Sequence, residues 1–231
     1  GRRYYLAAAN AWQVGEDWAL ARELLDEGLK LFPREVPLLV ARAAMEETRA
    51  AFTAADDGPV QRKMSSRKEA PRRMGQAAAA RQQRLEAIDL LRRAVAAAPD
   101  SEEGRLRLGR TLLEVGKVEE GLALLDGLRS ARDPGVGYLA WLLRGGALER
   151  SGRLPEAIDS YRAALELEPR GQVVRVALAH ALDEAGLPGA SAVVAEGLAA
   201  VMRYPAFDDP WWTYHFSRPD LLAPLREEIW R

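Results

Sequence analysis

Cysteine is absent from this sequence, which rules out disulfides and thiolate metal sites without choosing a compartment. Histidine is scarce, with His180 and His215 the only two. No His-Glu-x-x-His, no Gly-x-x-x-x-Gly-Lys-Ser/Thr and no Gly-x-Gly-x-x-Gly occurs, so zinc-protease, phosphate-loop and dinucleotide chemistry have no motif to rest on. Asp183 lies one helical turn from His180, and a charge-paired surface histidine is the expectation there. Glu119 and Glu120 read as ordinary helix-surface charges. No apolar run approaches the roughly 18 residues that a membrane-spanning helix needs. No charged-then-apolar leader is visible, although the chain opens on Gly1 rather than Met, which leaves a removed targeting segment open. An excess of either charge is missing too. The 33 basic and 34 acidic residues leave a net charge of −1, so the whole molecule is not an evident polyanion binder. Strict alternation with β-branched residues is nowhere found, which argues against a sheet. No metal and no cofactor is expected, and the compartment stays open, cytoplasm or periplasm for a bacterial chain.

What is present is helical. Apolar residues make up 48% of the 231, enough for one to two domains or a run of repeats. The strongest pattern spans residues 138–171 and predicts two amphipathic helices folded into a hairpin. Gly152 suits the left-handed residue that ends the first helix. Pro155 suits the first turn of the second, where its missing N–H costs nothing. Gly145 and Ala157 are small enough for the helices to approach, Trp141, Leu148 and Tyr161 fill the space between them, and Pro169 stops the second helix. Trp141, Gly145, Ala157, Tyr161, Ala164 and Pro169 together resemble a tetratricopeptide repeat, a unit of about 34 residues. Leu148 replaces its usual Tyr, and Arg144 stands where Leu is usual.

The rest of the chain follows the same frame. Residues 2–35 form a first repeat, with Ala21, Leu25 and Gly28 at its small, large and small positions and Pro33 closing it. Residues 36–101 form the second. Ala87 and Pro99 repeat the roles of Ala21 and Pro33, and Asp56-Asp57-Gly58-Pro59 is a strong break. Two readings fit this region. Gly75 could mark a degenerate extra repeat, with its first helix near 68–80. The preferred alternative is one repeat with a basic insertion near 56–75 and a single long helix over about 72–98, because nothing from Ala77 to Ala98 looks like a helix stop. Residues 102–137 form the third repeat and 172–206 a looser fifth, with helix ends at Gly116 and Gly186. The tail, 207–231, is crowded with aromatics and is expected to cap the exposed end of the stack, or else to dock on a partner through Trp211, Trp212, Tyr214 and Phe216.

The resemblance implies an all-α, tetratricopeptide-like solenoid, a right-handed superhelix whose first helices line a concave groove for a peptide or partner segment. Carried onto this chain, the groove positions include Leu6, Asn10, Leu106, Arg107, Arg110, Leu142, Leu143, Arg150 and His180. Val40, Ala41, Ala44, Glu47, Glu149 and Glu184 belong to the same rows. Arg107 and Arg110, on adjacent turns, could grip a carboxylate in a two-pronged way. The Lys and Asn set with which some chaperone-binding members hold a terminal carboxylate is absent, since Asn10 is the only Asn and no groove position is Lys. The expected function is a non-catalytic scaffold with a protein partner. A permanent structural subunit, docked through the tail and the insertion, is the alternative. A third reading is nucleic-acid binding through residues 61–84, where Arg62, Lys63, Arg67, Lys68, Arg72 and Arg73 cluster. The lack of any aromatic there weakens it.

Overall fold

The computed structural model describes residues 3–7, 9, 17–55, 70–203 and 209–215, and every regular element among them is helical. Two compact units divide between Arg107 and Leu108.

In the first unit, helical residues 3–7 (α1) precede α2 (Trp18–Leu31), α3 (Val36–Ala55), α4 (Ala70–Ala97) and the start of α5 (Glu102–Glu114). Asp17 caps α2, its carboxylate accepting the Leu20 N–H at 3.1 Å. Ala21, Leu25, Gly28 and Leu29 form the buried stripe of α2. A Cβ on Gly28 would stand 3.0 Å from Tyr5, so α1 and α2 approach closely at this glycine. Leu38, Leu39, Ala43, Met45 and Ala50 of α3 are buried, as are Ala80, Ala87, Ile88, Leu91 and Ala94 of α4. Of the two readings for this stretch, the continuous helix is the observed one, since α4 runs 28 residues without a break. At Met74 and Gly75 it is thinly packed. Met74 is 74% exposed, and no atom lies within 4 Å of where a Cβ on Gly75 would be.

The second unit holds the end of α5, then α6 (Val118–Asp126), α7 (Pro134–Arg150), α8 (Leu154–Leu167), α9 (Gln172–Glu184), α10 (Ala190–Arg203) and α11 (Pro210–His215). Three turns between helices share one chemistry. Gly116, Gly152 and Gly186 have φ of 86°, 74° and 65°, the left-handed conformation that side chains resist. At each, the next residue's N–H bonds back to a carbonyl of the finished helix: Lys117 to Leu112, Arg153 to Leu148 and Leu187 to Leu182, all at 2.9 Å. Asp133 caps α7 through the Gly135 N–H at 2.8 Å, with Pro134 in the first turn. Small residues set the helix crossings. A Cβ on Gly145 would stand 2.6 Å from Tyr161 Cδ1, and one on Gly121 would stand 2.9 Å from the Gly109 carbonyl oxygen. Leu148, Ala157 and Tyr161 are buried between α7 and α8. Trp141 differs from expectation. It is half-buried, with the Arg129 and Arg144 guanidiniums 5.1 and 5.7 Å from its ring, so two arginines cover part of a ring expected inside the hairpin.

Of the tail, only residues 209–215 belong to the described part. They pack on α7, and the cap expected over 207–231 is otherwise outside the described residues.

Candidate binding face

In the first unit the expected groove residues are largely consumed by packing. Leu6 is half-buried on α1, and Asn10 lies outside the described residues. Val40, Ala41, Ala44 and Glu47 of α3 and Leu106 and Arg107 of α5 are all buried. Val40, Ala41, Ala44 and Arg107 border a hollow of ≈ 290 Å³ between α3 and the start of α5, lined also by Val36, Pro37, Ser101 and Glu103. Arg107 is not presented to this hollow as an open guanidinium. It donates to Glu47 at 2.8 Å and to Glu103 at 3.0 Å.

A larger ionic cluster joins α2, α3 and α4. Arg42, whose side chain is 2% exposed, donates to Asp26 at 2.8 Å and to Glu46 and Glu86 at 2.6 Å each. Arg22 reaches Glu86 at 2.9 Å, and Arg49 reaches Glu46 at 3.1 Å. Burial opposes the charge on Arg42, but the Asp26 hydrogen bond and the carboxylates of Glu46, Asp26 and Glu86 outweigh it and hold its pKa above the ordinary value. Sequence reading missed this cluster. The available signal was Arg42, Glu46 and Arg49 on one helix face, but the closing partners Asp26 and Glu86 come from other helices.

The second unit carries the more open face. Leu142 of α7 is buried, Leu143 half-buried and Arg150 exposed. Glu149 and His180, from the first helices of successive hairpins, meet across α7 and α9, with Nδ1 2.6 Å from Oε1. The direct partner of His180 is therefore Glu149 rather than the expected Asp183. The Glu149 hydrogen bond is the largest of the causes that raise the His180 pKa. The other Glu149 oxygen accepts from the Tyr161 hydroxyl, which fixes the carboxylate in place. Among the described residues, Glu149, His180 and Glu184 bring ligand-capable atoms within 4.8 Å of one another.

The expected groove and the expected tail meet on this unit. Arg110 pairs with Glu114 at 2.9 Å, and its guanidinium lies 5.9 Å from the Trp211 ring and 5.1 Å from the Tyr214 ring. Tyr214 is buried and Trp211 half-buried. The Trp212 side chain and Phe216 are outside the described residues, as are Arg62, Lys63, Arg67, Lys68 and the Arg72 side chain, while Arg73 is half-buried at the start of α4. Sequence reading also missed Asp209, which is fully buried. One of its oxygens accepts from the Tyr138 hydroxyl and from the Trp211 N–H, both at 2.9 Å. The other accepts from the Gln172 and Val173 N–H groups at 2.9 and 3.0 Å. Burial, then the Asp209 charge, push the Tyr138 phenol well above its ordinary value, so it remains a proton donor to that carboxylate. Asp209 before Pro210 was a legible helix-start signal for α11. Its second role, at a helix 36 residues away in sequence, was not.

A tetratricopeptide repeat family model matches residues 106–171, and a second model of the same description matches residues 75–136. No curated protein matches the chain. Among solved structures the chain is similar to a MamA protein at 15% identity and a TM-score of 0.63, over 90% of this chain and 95% of that one. MamA from Desulfovibrio magneticus RS-1 is similar at 12% identity and a TM-score of 0.62, over 90% and 97% of the two chains. For MamA MSR-1 the values are 22% and 0.55, over 87% and 97%. These likenesses concern the fold.

Proposed function

Because residues 75–171 carry tetratricopeptide repeats, we propose that the chain is a non-catalytic protein-interaction scaffold whose first-helix face takes a peptide or partner segment. The observation that carries this reading is the second unit's face on α5, α7 and α9. It offers apolar area at Leu143, a cation at Arg150, a histidine–carboxylate pair at His180 and Glu149, and a guanidinium already in contact with aromatic rings at Arg110. Mixed apolar and charged groups on rigid helices suit a binding surface. The non-catalytic part of the reading rests on the sequence, which lacks the motifs that nucleophilic, phosphate-transfer or zinc chemistry would use.

The test is capture of native partners by the full chain against Leu143→Glu and Arg150→Glu variants, with helical content checked for each. Loss of the same partner from both variants is the expected result. An unchanged set of partners would remove this face from the function.

A further inference from the structure

The second unit already holds a segment, and that segment is its own. Gly171, the residue before α9, supplies no side chain to cap it. The first N–H groups of a helix have no partner within the helix and carry its positive pole. Here the Gln172 and Val173 N–H groups go to the carboxylate of Asp209, and Tyr138 of α7 donates to the same carboxylate. Two and five residues further on, Trp211 and Tyr214 set their rings against Arg110 of α5. Three helices of the repeat array therefore each contribute one contact chemistry. α9 offers main-chain donors, α7 a phenol and α5 a guanidinium.

We propose that this face is a recognition site for acidic–aromatic segments, an aspartate followed two and five residues later by aromatic rings, and that residues 209–215 are its built-in occupant. A partner protein must then present the same chemistry and displace them. This rests on the interaction-scaffold reading and narrows it to a partner class and a means of control. The resident segment is suited to leaving. α11 has six residues, too few to hold a helix in water without its contacts. Local opening of so short an element costs far less than unfolding the unit. Tethering raises its local concentration, so an outside segment competes at a disadvantage that weakening the resident contacts would reduce.

The experiment uses the full chain and a fluorescent synthetic peptide of the natural sequence Phe207–Phe216, with binding read by anisotropy. A second peptide carries Asp209→Asn. The chain is compared as wild type, as Asp209→Asn and as the double variant Trp211→Ala, Tyr214→Ala, which loosens the segment without altering the carboxylate at α9. Both chain variants are expected to bind the natural peptide at least about tenfold more tightly than wild type, and the Asn peptide is expected to bind each chain at least about tenfold more weakly. Circular dichroism identifies a variant that has lost its helices, and the other variant then decides. Failure of the folded variants to bind, or equal binding of the two peptides, would overturn the proposal. If it is overturned while Leu143→Glu and Arg150→Glu still abolish partner capture, the scaffold reading stands without it. If capture is indifferent to those substitutions, the scaffold reading fails on its own.

Discussion

Two glycines in α7 and α4 look alike in sequence and are opposite in consequence. Gly145 lies where a methyl group would run into the Tyr161 ring, whereas Gly75 lies in open space on an exposed helix. Gly145→Ala should therefore destabilise by about 1–3 kcal/mol through forced repacking. Gly75→Ala should stabilise by about 0.5–1 kcal/mol through helix propensity. Urea denaturation of the two variants checks both signs. If Gly145→Ala proves neutral, the close α7–α8 crossing is wrong. His180 gives a pH prediction at the same scale. Its pKa is raised above the ordinary 6.5, chiefly by the Glu149 hydrogen bond. A raised folded-state value means that the pair's contribution is complete below the unfolded value and is lost as pH climbs from there through the folded value. The advantage of wild type over His180→Gln in thermal melting should be larger at about pH 5 than at about pH 9. An advantage that grows with pH would refute the pairing.

At the scale of elements, the Arg42 cluster ties α2, α3 and α4 together by charge within a largely apolar interface. Arg42→Met would leave the carboxylate of Glu46, itself fully buried, without its nearest cation. The expected loss is about 3 kcal/mol, at the lower end for a broken buried pair. Arg49 is the reason for the lower figure, since it still reaches Glu46 at 3.1 Å. Adding Glu46→Leu should recover most of the loss, because an apolar pair needs no desolvated partner. Chemical denaturation of the single and double variants tests this, and a double variant no better than the single would exclude the ionic account. The sequence made the hairpins legible through residues that act locally. Gly116, Gly152 and Gly186 announce their turns because a left-handed residue is needed at those positions, and Pro155 announces a helix start. Arg42 was not legible, because its partners are separated from it in sequence and brought together only by helix packing. Arg107 was expected on an open face, and its burial was not legible, since its partner Glu47 lies on α3, 60 residues earlier in sequence.

At the scale of the whole molecule, the balanced net charge and the basic stretch at 61–84 make different demands on a partner. An overall charge of −1 gives no long-range pull toward a polyanion, and the basic stretch has no aromatic ring for a base to stack on. The full chain is therefore expected not to retain a single-stranded oligonucleotide at about 0.15 M salt, measured by anisotropy, with any low-salt binding falling steeply as salt rises. Retention at that salt would bring the nucleic-acid reading back.

Asp209 also determines where mechanical load goes. A pull on the chain beyond His215 reaches the carboxylate held by α9 and Tyr138 before it can reach α10. Under such a load the segment at 209–215 is expected to release the first turn of α9 before α10 separates from α9.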